Sequence, residues 1–290
     1  MADRVSRRTA IGAVTAAGVL ATTGIESTKS GAHAQAAPLK GRLKQSVCKW
    51  CYPNITLDKL CEAAKAMGLQ SVELLGENDW PVVKKYGLTC AMANGPSGIV
   101  EGWNRPQDHD KLVKESERLL PLVKAAGLPN MIVFSGNRRG LSDSDGLENC
   151  AKGLKRIMPL AEQMGVTVAM ELLNSKRSHK DYQCDHTAWG VELCKRVGSD
   201  RFKLLYDIFH MQIMEGDVID TIKENIKYLA HFHTGGVPGR AEIDETQELN
   251  YHRIAQAIVD TGFQGYYAHE FIPRRDAIAS LKQATLMCDV

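Results

Sequence analysis

From Leu43 onward the chain repeats one pattern: a short apolar or β-branched run, then a segment whose apolar residues recur at three and four. The runs KQSVCKW, QSVELLG, LTCAMAN, NMIVFSG, VTVAMEL, FKLLYDI, LAHFHTG and GYYAHEF read as eight buried strands. The intervening LDKLCEAAKAMG, HDKLVKESERLLPLVKAAG and LENCAKGLKRIMPLAEQMG read as amphipathic helices, closed by Gly68, Gly127 and Gly165 just ahead of the next strand. Neighbouring parallel strands need a crossover connection, so strict alternation predicts a parallel sheet covered by helices. Residues 35–290, 256 in number, supply about 32 per strand–helix unit; about 250 residues is typical of a closed (β/α)8 barrel. An open doubly wound sheet is the main competitor, but no GxGxxG or GxxxxGK[ST] opens a helix here. The expected fold class is α/β, a single-domain (β/α)8 TIM barrel over residues 35–290.

In such barrels the chemistry sits at the carboxyl ends of the strands. The fifth run ends at Glu171, the sixth at Asp207, the seventh at His233 and the eighth at Glu270, separated by 36, 26 and 37 residues, about one unit each. Residues two apart on a strand share a side, so Glu171 lies above Ala169, Asp207 above Leu205 and Glu270 above Ala268. Any one of these alone reads equally well as a strand-end cap or a surface ion pair. Three carboxylates and an imidazole on one rim repel strongly unless a divalent cation holds them. An oxygen-rich set with one nitrogen suits Mn²⁺, Mg²⁺ or Co²⁺, with Zn²⁺ left open. His231, one layer below His233, reads as a hydrogen-bonded core histidine, while Trp50 and Tyr52 are candidates for a pocket wall.

The first residues are of another kind. Arg4, Arg7 and Arg8 precede a mildly apolar run of small residues, and AHA at Ala32–Ala34 offers a small-x-small cleavage site, the layout of a secretory signal. Arg7-Arg8 after Ser6 resembles a twin-arginine export signal, implying a 1–34 signal peptide and a bacterial periplasmic location. Without those residues the chain holds 32 basic and 32 acidic side chains, a balance that argues against broad electrostatic binding of nucleic acid. No later run is apolar and long enough to span a bilayer. Eight cysteines are present; several fall within apolar strand or helix patterns, where a thiol acts as a small hydrophobe. Cys48 and Cys51 form a lone CxxC without the second pair that a zinc site needs.

LLYDIFHMQIMEGD, HFHTGGVPGRAEIDETQELNY and AHEFIP closely resemble the hydroxypyruvate isomerase branch of the xylose isomerase-like barrels, a superfamily that also holds ketose 3-epimerases, inosose dehydratases and endonuclease IV. The resemblance covers most of residues 35–290 and is strongest from Val166 to Pro273. It implies one divalent metal at Glu171, Asp207, His233 and Glu270, with Glu171 and Glu270 as acid and base and with His210 and Arg240 contacting substrate. The reaction it implies interconverts hydroxypyruvate and tartronate semialdehyde, or a similar keto acid or sugar, through an enediolate stabilised by the metal. The isomerases often carry Gln where this chain has His233, as the epimerases do, so a ketose 3-epimerase or inosose dehydratase is the alternative. ELLNSKRSHKDYQCDH, holding Lys176, Arg177, His179 and Lys180, has no clear counterpart among these relatives. An exported sugar-binding protein without catalysis is the alternative from another class, and an endonuclease is disfavoured by the charge balance. Expected partners are a small keto acid or sugar and, since barrels of this kind often pair, a second copy of the chain; no nucleic acid is expected.

Overall fold

The computed structural model describes residues 38–290, so the expected signal segment 1–34 lies outside the described residues. Seven parallel strands form one curled sheet: β1 Lys44–Cys48, β2 Ser71–Glu73, β3 Asn130–Val133, β4 Thr167–Glu171, β5 Phe202–Asp207, β6 Leu229–Thr234 and β7 Tyr266–His269. Their order is β2-β1-β7-β6-β5-β4-β3. Where the sequence predicts eight regular strands, residues 88–94 do not form a regular ladder. They nevertheless lie between the two edge strands and close the ring, through bridges from Ser71 to Thr89, Leu75 to Ala93 and Ala93 to Met131.

The irregularity has a local cause. The Ala91 amide donates to Ser71 Oγ at 2.9 Å and the Ala91 carbonyl accepts from Asn130 Nδ2 at 2.8 Å. Buried backbone groups must find partners, and here side chains supply what a ladder would. Leu74, at φ 57°, turns the end of β2 out of the extended region, and its amide still reaches the Met92 carbonyl at 2.9 Å.

The helices follow the apolar periodicity with one revision. α1 Leu57–Met67 begins at Thr56, whose Oγ1 accepts from the Lys59 amide, and ends on Gly68 at φ 87°, a left-handed cap that glycine adopts without steric cost. α2 is Trp80–Lys85 and α3 is His109–Ala125. The predicted helix through 147–165 is two helices, α4 Asp143–Lys155 and α5 Met158–Met164. Pro159 lacks the amide that a continuous helix would bond at that point, but is tolerated in the first turn of a new one. α6 Thr187–Val197, α7 Ile208–Met214, α8 Val218–Asn225, α9 Tyr251–Asp260 and α10 Ala277–Met287 complete the outer layer. Among the described residues no helix is long and apolar enough to cross a membrane, and all eight cysteines are buried and unbonded, Cys48 and Cys51 included.

Register carries the strand ends to one height. Asp207 pairs with His233 and His233 with Ala268, so Glu270, two residues beyond Ala268, rises on the same side. Glu171 pairs with Leu205, two below Asp207. Asn130→Ala would leave the buried Ala91 carbonyl unpaired. We expect it to cost about 1–3 kcal/mol in urea unfolding and to speed amide exchange across residues 88–94; an unchanged midpoint and exchange pattern would show that the side chain does not hold this segment.

Candidate functional site

Ligand atoms of Glu171, Asp207, His233 and Glu270 lie within 4.8 Å of one another, and all four residues are buried. Asp207 is both the last residue of β5 and the cap of α7: its Oδ1 accepts from the His210 amide at 3.0 Å. The strand-end cap and the site residue are therefore the same side chain, and the cap holds His210 in the first turn, over the rim.

His233 is oriented from below. Its Nε2 lies 3.0 Å from Glu73 Oε1, and the same oxygen accepts from His231 Nε2 at 2.6 Å. Glu73, fully buried at the end of β2, is held down to about 2 because, although burial favours the neutral acid, His231 and His233 outweigh it. An ionised Glu73 fixes the His233 proton on Nε2 and leaves Nδ1 facing Glu171 Oε1 at 3.3 Å and Glu270 Oε2 at 2.7 Å, without a hydrogen bond. A lone pair against two carboxylate oxygens is repulsive unless a proton or a cation stands between them. Burial opposes charging of the imidazole, but Glu270 first, then Cys48 and Glu171, outweigh it and push the imidazole well above its usual range. A carboxylate behind a histidine whose free nitrogen meets further carboxylates is the arrangement of a metal-ligating histidine, so the donor set fits a divalent ion. The sequence places His231 in the core without showing its partner. Glu73 was missed because one acid in QSVELLG gives no sign of the histidines it will face.

Arg240 is buried and enters from the loop after β6 at φ 55°. Its Nη2 donates to Asp207 Oδ2 at 2.6 Å and to Glu270 Oε2, and its Nη1 lies 3.0 Å from His210 Nε2. Trp50, on the turn after β1, donates from Nε1 to Glu270 Oε1 at 2.6 Å. The two glutamates consequently differ. Burial raises Glu171 to about 7, with the neighbouring Glu270 charge adding to it. Burial pushes Glu270 the same way, but Arg240 and His233 hold it well below the usual carboxylate range.

Asn174, just past β4, fixes the imidazole of His210. Its Oδ1 accepts from the Arg177 and Ser178 amides at 3.0 and 2.9 Å, which turns Nδ2 toward His210 Nδ1. Nδ1 is therefore the acceptor, and burial keeps His210 neutral, its pKa well below the ordinary value. The proton sits on Nε2, aimed into the pocket beside another donor, Arg240 Nη1. Two donors meeting there leave a place for an acceptor oxygen from a ligand. His179 packs edge-on against His210 at 5.1 Å between ring centroids. It lines the pocket with Ser178, while Lys176 points away to the Ile213 carbonyl.

The family model for the xylose isomerase-like TIM barrel matches residues 61–286. The chain belongs to that family. It is 24% identical over 253 residues to a putative hydroxypyruvate isomerase of Homo sapiens, covering 80% of this chain and 90% of the relative. A 2-oxo-tetronate isomerase of Haemophilus influenzae is 28% identical over 238 residues, 78% and 91% of the two chains. Among solved structures, an AP endonuclease of family 2 from Brucella melitensis superimposes with a TM-score of 0.73 at 22% identity, over 82% of this chain and 96% of that one; at that identity the likeness concerns the fold. The relatives' names support an enzyme of the isomerase type.

Glu73→Gln should lower Mn²⁺ affinity about 10- to 100-fold in a calorimetric titration, with the fold unchanged by circular dichroism; wild-type affinity would remove Glu73 from the site. Metal and protons compete for Glu171, whose raised pKa of about 7 leaves it protonated below that pH. Mn²⁺ affinity should therefore fall as pH is lowered from 8 to 6, and a flat profile would contradict the pairing.

Proposed function

We propose that this barrel is a metal-dependent isomerase acting on an α-hydroxy keto acid or ketose, hydroxypyruvate to tartronate semialdehyde being the smallest such reaction. The observation that carries the reading is the unequal pair of glutamates in one carboxylate cluster. Without metal, burial raises Glu171 to about 7 while Arg240 and His233 hold Glu270 down, so the two carboxylates meet a substrate proton in different surroundings. Two titratable groups pushed apart by their surroundings are the mark of an acid and base division of labour.

Glu171, Asp207, His233 and Glu270 would hold the ion, and Mn²⁺, Mg²⁺ or Co²⁺ suits their oxygen-rich set. When bound, the ion would polarise the substrate carbonyl and stabilise negative charge on its oxygens. One glutamate removes the proton from the carbon beside the carbonyl, giving an enediolate, and a glutamate returns a proton at the neighbouring carbon. His210 Nε2–H and Arg240 donate to a substrate oxygen, and a carboxylate there would meet a guanidinium suited to it.

A ketose 3-epimerase is the second reading, favoured by His233 in the position where the isomerases often have Gln. It uses the same two glutamates but returns the proton to the carbon from which it came, on the opposite face. Assays of hydroxypyruvate, psicose, tagatose and inosose, with product analysis, distinguish the two. Glu171→Gln and Glu270→Gln should each lower turnover about a thousandfold or more with the fold retained. EDTA should abolish activity and Mn²⁺ restore it. Near wild-type rates in either variant, or full activity without metal, would overturn the assignment; binding without carbon-bound deuterium in D₂O would leave a sugar-binding protein instead.

We further propose export by the twin-arginine route, on the strength of Arg7-Arg8 and the Ala32–Ala34 site. Cell fractionation should find the chain in the periplasm beginning at Gln35, and Arg7→Lys with Arg8→Lys should retain it in the cytoplasm; no change would refute the signal.

A further inference from the structure

The cavity over the carboxylate cluster measures about 900 Å³. A water molecule occupies about 30 Å³ in the liquid, so a three-carbon acid the size of roughly three waters fills about a tenth of it. Pockets that take drug-sized molecules measure about 300–1,000 Å³, so a cavity of this size has room for a ligand several times larger. The remainder is mostly apolar.

The lining divides by strand. The carboxylates and imidazoles stand on or just past β4 to β7, whereas the opposite wall, from the ends of β2 and β3 and residues 94–99, presents Leu74, Ile99, Ile132 and Phe134, with Asn94 and Ser97 as its polar members. The mouth is apolar too: Trp50 and Ile272 both line the cavity and are each 46% exposed, a costly placement for large apolar groups that an apolar ligand would offset. Ser97 Oγ is buried in the apolar wall without a hydrogen-bond partner, and offers a donor to an oxygen at the junction of the polar and apolar halves.

We propose that the natural substrate carries a ring-sized apolar substituent, joined through an oxygen to the hydroxyketone head, and that this substituent lies against Leu74, Ile132 and Phe134. The inference rests on the metal-dependent proton-transfer reading of the same site, and names the class of molecule that the site takes.

The test compares dihydroxyacetone with its monobenzyl ether on the Mn²⁺-loaded full chain, measuring affinity by calorimetry and carbon-bound deuterium in D₂O by NMR. Burying the phenyl group should lower Kd at least about tenfold. Ile132→Trp would enlarge the apolar wall into the cavity; a Gly98→Phe variant, at a lining position where nothing lies within 4 Å of a Cβ and the backbone is not left-handed, should fold and, by crowding the apolar half, abolish the advantage of the ether. Equal affinities for the two ketones, or an advantage that survives Gly98→Phe, would overturn the inference. If the ether binds tighter yet neither ketone exchanges deuterium, the catalytic reading fails and this one stands; exchange with equal affinities gives the reverse.

Discussion

Buried negative charge is the constraint on which the rest of this barrel depends. Glu73, Glu171, Asp207 and Glu270 are all withdrawn from water at the mouth of one ring of strands, and the guanidinium of Arg240 reaches only Asp207 and Glu270. Each uncompensated charge would cost several kcal/mol, so the surrounding structure is arranged to supply protons, donors and a place for a cation. His231 and His233 hold Glu73, the α7 amide holds Asp207, and Trp50 and Arg240 hold Glu270. Glu171 has the His233 imidazole at 3.3 Å, against 2.7 Å for Glu270, and no arginine hydrogen bond among the described residues, and it is the one pushed up to about 7. The asymmetry that makes the pair chemically useful thus follows from where the compensating groups run out.

The parallel barrel was legible because burial on both sides of a strand and an amphipathic crossover leave separate marks in a sequence, apolar runs and a three-to-four period. The four rim residues were legible for a related reason: each ends an apolar run, and a polar group there must be explained. What could not be read depended on contacts between distant segments. Residues 88–94 have the composition of a strand, yet their ladder is broken by Ser71 and Asn130, residues that sequence alone does not place beside Ala91. Glu73 is 158 residues from His231 and 160 from His233, and only the closed ring brings them together. Asn174 stands in a loop without a clear counterpart among characterised relatives, and its role is visible only from the two backbone amides that fix its oxygen.

Arg240 shows how one side chain can serve two states of such a site. On the sequence, a turn arginine is most simply a solvated one; in the structure it is buried, its backbone held by the Gly236 and Ile272 contacts and its head inserted among the carboxylates. There it provides part of the positive charge that a metal would provide, and it stands against His210, whose Nε2 also bears a proton. Two donors at 3.0 Å have no mutual attraction, so what holds Arg240 in place is Asp207 and Glu270 rather than His210. A divalent ion held there would weaken that hold by satisfying the same carboxylates, and a substrate oxygen between Arg240 and His210 would turn their repulsion into two hydrogen bonds. Ion and substrate would then favour each other through one arginine, without any change in the strands beneath.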